Sequence, residues 1–306
     1  MEAVNAQPMS EESEGRCCTY HATSEAPTMK HVAVRWLVAG GFTAALAFTS
    51  LAAADAAEPA LMTLESVVSR LMPGVVPESI VISPNRQRVA FFASGDGKWR
   101  AVVDGVESKE YKAMVKMKPV FSPDSARLAY VAARDASKFV VLDGVEGKKY
   151  DNIGGLTFSA DSKRFAYAGQ TGDTWRLIVD GLEQKAFDAI GSSGPVFTPD
   201  GKRFGYEAKR GEKWLVVVDA TEGREYDGVM SLRFSPDGGR FAYMAARGRK
   251  MLVVLNAEEG REYDSFLRGS ELVFASPFRV EALAVHGSRI LSVSLMQSLE
   301  GVPPDR

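Results

Sequence analysis

The chain has 306 residues, 45% hydrophobic and 25% charged, a balance that supports a folded core and excludes a largely disordered polymer. Thirty-seven basic and thirty-nine acidic residues leave a formal charge of -2, which excludes the global basic field that draws proteins to nucleic acid. Cys17 and Cys18 are the two cysteines and His286 is the one histidine beyond residue 56, so thiol, zinc and Ser-His-Asp chemistry lack ligands and bases.

Residues 1–28 are polar and read as an upstream mis-start, with Met29 as the true first residue. Residues 29–56 follow the order of a secretory signal peptide. Basic Lys30 and Arg35 come first, then an apolar run over residues 36–51, then small residues at A-x-A spacing that end at Ala56. An uncleaved anchor needs roughly 20 apolar residues, and this run of 16 is interrupted by Gly40 and Gly41. Export to the periplasm or the medium is therefore expected, without stable membrane insertion. The chain left after cleavage is close to neutral and has no cysteine with which to form a disulfide. Residues 57–77 make a short N-terminal segment, in which residues 61–72 read as a short helix or an outer strand, broken by Pro73, Gly74 and Pro77.

From residue 78 the chain repeats itself. The turn signal reads Ser83-Pro84-Asn85, Ser122-Pro123-Asp124, Ser159-Ala160-Asp161, Thr198-Pro199-Asp200, Ser235-Pro236-Asp237 and Ser276-Pro277-Phe278. An arginine follows each, at positions 88, 127, 164, 203, 240 and 279, with separations of 39, 37, 39, 37 and 39 residues. That period belongs to propeller blades rather than helical repeats. Each unit holds a strand, a tight turn, an alternating second strand, a third strand apolar at consecutive positions, an Asp-Gly-type turn and a fourth strand ending near a tyrosine. Four strands in about 38 residues leave no room for a crossover helix, so each unit is an antiparallel sheet. On the second strand, large residues such as Tyr130, Tyr167, Tyr206 and Tyr243 share one face, and Ala129, Ala166, Gly205 and Ala242 the other. Large against small lets neighbouring sheets interdigitate. The expected fold is all-β, a six-bladed propeller of four-stranded antiparallel blades over residues 78–306, preceded by the signal peptide.

The unit Phe234-Ser-Pro-Asp-Gly-Gly-Arg-Phe-Ala-Tyr243 resembles the Pro-Asp variant of the WD-repeat found in TolB-type six-bladed propellers of bacteria. The resemblance covers nearly all of residues 78–296 and implies the ring architecture, but little about activity, because propellers host unrelated functions. TolB-type proteins carry an extra α/β domain before the propeller. Residues 57–77 are too short for one, so the resemblance implies an exported protein made of the propeller alone.

Two irregularities stand out. From each arginine to the Asp or Asn that ends the third strand there are 16 residues, whereas the next step alternates as 23, 21, 23, 21 and 23. The variation is expected in the fourth strand or the connection after it, as the trace of a copied two-blade unit. The sixth unit has no Tyr-Asp strand, and residues 61–76 are expected to supply or cover its outer edge.

The repeated aspartates read as turn residues that bond their own backbone, the arginines as structural, and Trp99, Trp175 and Trp214 as blade packing. Departures from the repeat are better functional candidates. Glu207 stands in a column occupied elsewhere by Phe92, Val131, Ala168 and Met244, and if buried it needs a partner. Arg134, Lys209, Arg210, Arg247, Arg249 and Lys250 gather basic groups in the loops between second and third strands, suited to a protein or an anionic envelope component.

No G-x-S-x-G, H-E-x-x-H, phosphate-loop or dinucleotide motif is present. The expected function is a non-catalytic, monomeric, exported binding scaffold, with no cofactor, no metal and no catalytic residue. The alternative is a propeller hydrolase or lyase that acts on a sugar or lactone through channel carboxylates. N-terminal mass spectrometry of the exported protein is expected to find Ala57 or a near neighbour in first place; an intact segment 30–51 would refute the signal-peptide reading.

Overall fold

The computed structural model describes residues 65–115 and 117–297. The mis-start, the signal peptide and residues 57–64 of the N-terminal segment lie outside the described residues. Six antiparallel sheets follow one another along the chain, each with its strands in sequence order from first to last. The fold is a six-bladed β-propeller. Among the described residues no helix is long and apolar enough to cross a membrane.

The third sheet shows the plan. Asn152–Phe158 pairs with Phe165–Thr171, which pairs with Thr174–Val179, which pairs with Leu182–Phe187. The turn after the first strand closes on itself. In the second sheet, Ser122 Oγ donates to Asp124 Oδ1 at 2.5 Å and accepts from the Arg127 N–H at 2.9 Å, while Asp124 Oδ1 also accepts from the Ala126 N–H at 3.0 Å. The same bonds recur around Ser159 and Asp161, Thr198 and Asp200, and Ser235 and Asp237. The serine or threonine is fully buried in each, so the short polar side chains replace backbone bonds that the turn cannot make.

Between third and fourth strands, Asp104-Gly105, Asp143-Gly144 and Asp180-Gly181 all have positive φ at both residues, the two-residue hairpin turn that matches strand twist. In the fourth sheet the turn is Asp219-Ala220, and Ala220 holds φ 68 where its counterparts in the first three sheets are glycine.

The core lies between the sheets. Ala90, Phe92 and Ala101 of the first sheet pack on Leu128, Tyr130 and Phe139 of the second; Ala129 and Val131 pack on Phe165 and Tyr167 of the third; Ala166 and Leu177 pack on Tyr206 and Leu215 of the fourth. The large-against-small pattern expected on the second strands is met at these junctions. Fourth-strand rings complete them: Tyr111, Tyr150, Phe187 and Tyr226 meet the next sheet's Tyr130, Tyr167, Tyr206 and Tyr243 edge-on at 6.0 to 6.4 Å.

Two expectations are placed differently by the structure. The length alternation lies in the first strand, because the path from the turn Asp or Asn to the fourth-strand aromatic is constant at seven residues. In the second and fourth sheets the pairing of the first strand is interrupted between Met114 and Val120 and between Ile190 and Val196, opposite two residues of the second strand. A longer excursion, residues 267–272, occupies the same place in the sixth sheet. In the third and fifth sheets a simple bulge at residues 155–156 and 231–232 replaces the loop. The first sheet departs from the alternation, since residues 76–80, with a 3-10 turn at Pro77–Ser79, form a loop there too.

The second difference concerns residues 65–76, expected at the outer edge of the sixth sheet. They lie beside the first sheet instead: Val75 bridges Ala93, the Ser94 N–H donates to Gly74 O at 2.8 Å, and Met72 and Val75 pack on Phe91 and Val102. Gly74 has φ 78, and a Cβ there would fall 1.8 Å from Ser94 O, so only glycine permits this approach. The sixth sheet has three strand positions among the described residues: Ser265–Phe266 with Val273–Ser276, Arg279–His286, and Arg289–Met296.

A left-handed conformation costs an L-residue roughly 1–2 kcal/mol, partly offset by the greater unfolded-state freedom of glycine. Ala220→Gly is therefore expected to stabilise the fold by about 0.5–1 kcal/mol. A rise in the urea midpoint at constant slope would show it; an unchanged or lower midpoint would contradict the turn assignment.

Candidate functional site

The arginine column joins sheets. Arg88, Arg127, Arg164 and Arg203 each donate from Nε to the aspartate that ends the third strand, Asp104, Asp143, Asp180 and Asp219, at 2.6–2.9 Å. The other carboxylate oxygen accepts the backbone N–H of the residue after the arginine. Nη1 reaches forward to carbonyl oxygens in the next sheet's turn, as from Arg88 to Ala126 O at 2.7 Å and from Arg164 to Lys202 O at 2.9 Å. The guanidinium plane covers the next sheet's Phe121, Phe158, Phe197 or Phe234 at 5.3–5.6 Å. In the fifth sheet, where Asn256 replaces the aspartate, Gln297 Oε1 accepts from both Arg240 Nε and Asn256 Nδ2. These arginines are consumed by structure.

So are the turn aspartates. The Ser122, Ser159 and Ser235 hydroxyls hold Asp124, Asp161 and Asp237 below the ordinary carboxylate range, and the Thr198 hydroxyl with the Lys202 N–H holds Asp200 at about 2.

The basic residues singled out by sequence are mostly engaged. Arg134 pairs with Glu146 at 2.9 Å and lies over Phe139; Arg210 pairs with Glu222 at 2.8 Å and Glu225 at 3.2 Å and lies over Phe187; Arg247 pairs with Glu259 at 2.5 Å and lies over Tyr226. Lys250 pairs with Asp264 at 2.5 Å. Each arginine ends the second strand of a different sheet and pairs with a different glutamate. Among the described residues Lys209 and Arg249 make no ion pair; Arg249 is exposed in its turn and Lys209 is half-buried.

Sequence reasoning missed the partners of these arginines. Those partners are Glu146, Glu222 and Glu259, and together with Glu183 of the same column, whose ion pair is with a lysine, they stand three residues after the Asp or Asn of the hairpin turn. Each also takes a cation from the preceding sheet: Lys109, Lys148, Lys185 and Arg224, respectively. Tyr150 and Tyr226 donate to Glu183 and Glu259 at 2.9 Å. Arg247, with help from Tyr226 and Arg224, holds the Glu259 carboxyl at about 2. The fixed offset from the turn, with a basic residue two positions later, was the available signal.

Glu207 differs from all of these. Its side chain is buried, with the residue only 8% exposed, in the face of the fourth sheet that meets the fifth. Ser193 Oγ donates to Oε2 at 3.1 Å, and the Leu232 N–H from the bulge of the next sheet reaches the same carboxyl. Burial pushes the Glu207 carboxyl above its ordinary range, and those two donors oppose the rise. Gly191 closes the cradle, since a Cβ there would fall 2.7 Å from Oε2. The carboxyl opens on a cavity of about 350 Å³ lined by Ser192, Ser193, Trp214, Met230 and neighbouring backbone. Among the described residues no group of His, Cys, Asp and Glu has the arrangement of a metal site.

Comparison with known proteins identifies no function. No protein-family model matches the chain, and neither does any curated protein sequence. Similar solved structures include TolB from Acinetobacter baumannii, at 15% identity over 71% of this chain and 60% of that one, with a TM-score of 0.34. The β-propeller domain of the Trilobed protease from Pyrococcus furiosus shares 12% identity over 68% of this chain and 79% of that one, with a TM-score of 0.36. Hsv2 of Kluyveromyces lactis shares 11% over 75% and 87%, with a TM-score of 0.37. Likeness this distant transfers no site residue.

A depressed carboxylate stabilises the fold above its unfolded pKa, near 4, and that contribution is lost as pH falls through the folded value. Thermal stability is thus expected to drop between pH 4 and pH 2. Asp200→Asn, which copies the Asn85 of the first unit, should keep the turn and flatten that part of the profile. An identical pH profile for wild type and variant would contradict the turn's contribution.

Proposed function

We propose that the protein is an exported, non-catalytic binding scaffold of the TolB-like, WD-repeat-related kind, holding a protein or cell-envelope component on one side of its blades. One observation carries this reading. The polar residues that repeat are spent between and within sheets, whereas residues that break the repeat, Glu207 with Ser192 and Ser193, line an open cavity beside Trp214. The partner is met where the first strands of the fourth and fifth sheets lie side by side. A paired-carboxylate mechanism needs a second acid facing the first, and Glu207 is the one charged residue in the lining.

Photo-crosslinking residues placed at Ser192 and Met230, on the cavity rim, test the proposal in cells that export the protein. A discrete cross-linked product is expected from these two positions and none from Ala220, which lies on an exposed hairpin turn. Labelling that is equal at all three sites, or absent from the rim while the protein turns over a glycoside or lactone, would overturn it.

A further inference from the structure

Burying a carboxylate is expensive unless something compensates it, and the column that holds Glu207 accepts Phe92, Val131, Ala168 and Met244 elsewhere without polar demands. The fold nevertheless arranges three elements around this one group: Ser193 from the looped-out first strand, the Leu232 N–H from the neighbouring bulge, and the Cβ-free approach of Gly191. A carboxylate offers about four lone-pair sites, so two donors leave acceptor capacity directed at the cavity. All other lining residues are neutral. Lys209 stands two residues along on the same face, opposite Trp214, and makes no ion pair with Glu207. The carboxylate's charge is therefore not already matched within the protein.

The molecule contains its own comparison. Between the first and second sheets an equivalent cavity of about 340 Å³ has Phe92 at the place of Glu207 and Trp99 at the place of Trp214, with Met114 and Met117 in its walls. Glu78 and Lys118, both exposed, also line it, so the two sites share a repeat geometry and differ in the buried acid, which the first lacks.

We infer that the Glu207 cavity is a binding site for an organic cation, an alkylammonium or guanidinium group, held by the carboxylate of Glu207 against the indole of Trp214. The N–H donors of such a group fill the free lone pairs, and its charge favours the aromatic face, an attraction strengthened where water is partly excluded. The cavity accommodates a lysine or arginine side chain of a partner. This rests on the scaffold reading and names the chemistry by which the partner is recognised.

The test is a titration of the full exported protein with methylguanidinium and with butylammonium, followed through the indole N–H resonances of Trp214 and Trp99, with butanol and acetate as controls. A saturable shift is expected at Trp214 and not at Trp99 with either cation, and none with the controls. Glu207→Gln and Glu207→Met, the latter copying Met244 of the next unit, should weaken binding by about tenfold or more, equivalent to about 1.4 kcal/mol. Lys209→Met should tighten it. Thermal unfolding confirms that the variants are folded. Absence of a saturable shift in the wild type, equal movement of Trp99, or unchanged affinity in a folded Glu207→Met variant would overturn the inference. Cross-linking from the rim would still stand in that case, so failure of the cation site and failure of the scaffold reading are separable.

Discussion

A four-stranded sheet with apolar side chains on both faces cannot be stable in water alone, and every other feature of this protein follows from that constraint. The third strands show it most directly: Val140 and Val141, or Leu177 and Ile178, are consecutive, point to opposite faces and are all buried. Each sheet must therefore be covered twice, and coverage comes from its neighbours in the chain. The polar parts of the repeat then fix the alignment. Arg164 binds Asp180 in its own sheet and the backbone of the next, so that two sheets sharing an apolar contact also share a defined register. With side chains still about a third exposed, such a pair contributes on the order of 1 kcal/mol at most, and the apolar faces supply the bulk of the stability.

The architecture was legible because it is written six times. A period near 38 residues, a turn signal and an alternating strand are each weak alone, and their recurrence at fixed offsets is not. The turn role of Asp124 and the packing role of Tyr130 could be read before any coordinates, since local chemistry decides both. What was not legible depends on distances across sheets. Glu146 meets Lys109 of the preceding unit only after two units have been placed side by side, and no linear spacing states that Arg134 and Arg247 end up in ion pairs with two different glutamates, Glu146 and Glu259. The place of the two extra residues was likewise hidden. A loop in the first strand and a longer connection produce the same residue count, and only pairing partners distinguish them.

Glu207 illustrates how a repeat exposes its own exceptions. The sequence marked it by contrast with four apolar counterparts but could not say whether it pointed to solvent. The structure answers by burial and by the two donors assembled around it, one from each of two sheets. Neither Ser193 nor Leu232 drew notice in the sequence, because a serine in a loop and a leucine in a strand are ordinary. Their relation to the acid is created by the looped-out strand of the fourth sheet and the bulge of the fifth. The two irregular forms of the first strand thus have a use when they are adjacent: one brings a hydroxyl and a glycine, the other turns a backbone N–H toward the same point.

The forward reach of the arginines has a consequence for how such a chain can change. The four junctions from the first sheet to the fifth use the same donors and the same kind of acceptors, from Arg88 on the turn before Leu128 to Arg203 on the turn before Phe241. A joint of this kind has a head and a tail and is blind to its ordinal position. Units are therefore exchangeable parts: a pair spanning the 76 residues between Arg88 and Arg164 could be gained or lost and leave each remaining joint chemically complete. The number of blades is then not encoded at any single joint. It is a property of the two ends, where Gln297 substitutes for a missing acid and Gly74 lets the chain enter the first sheet.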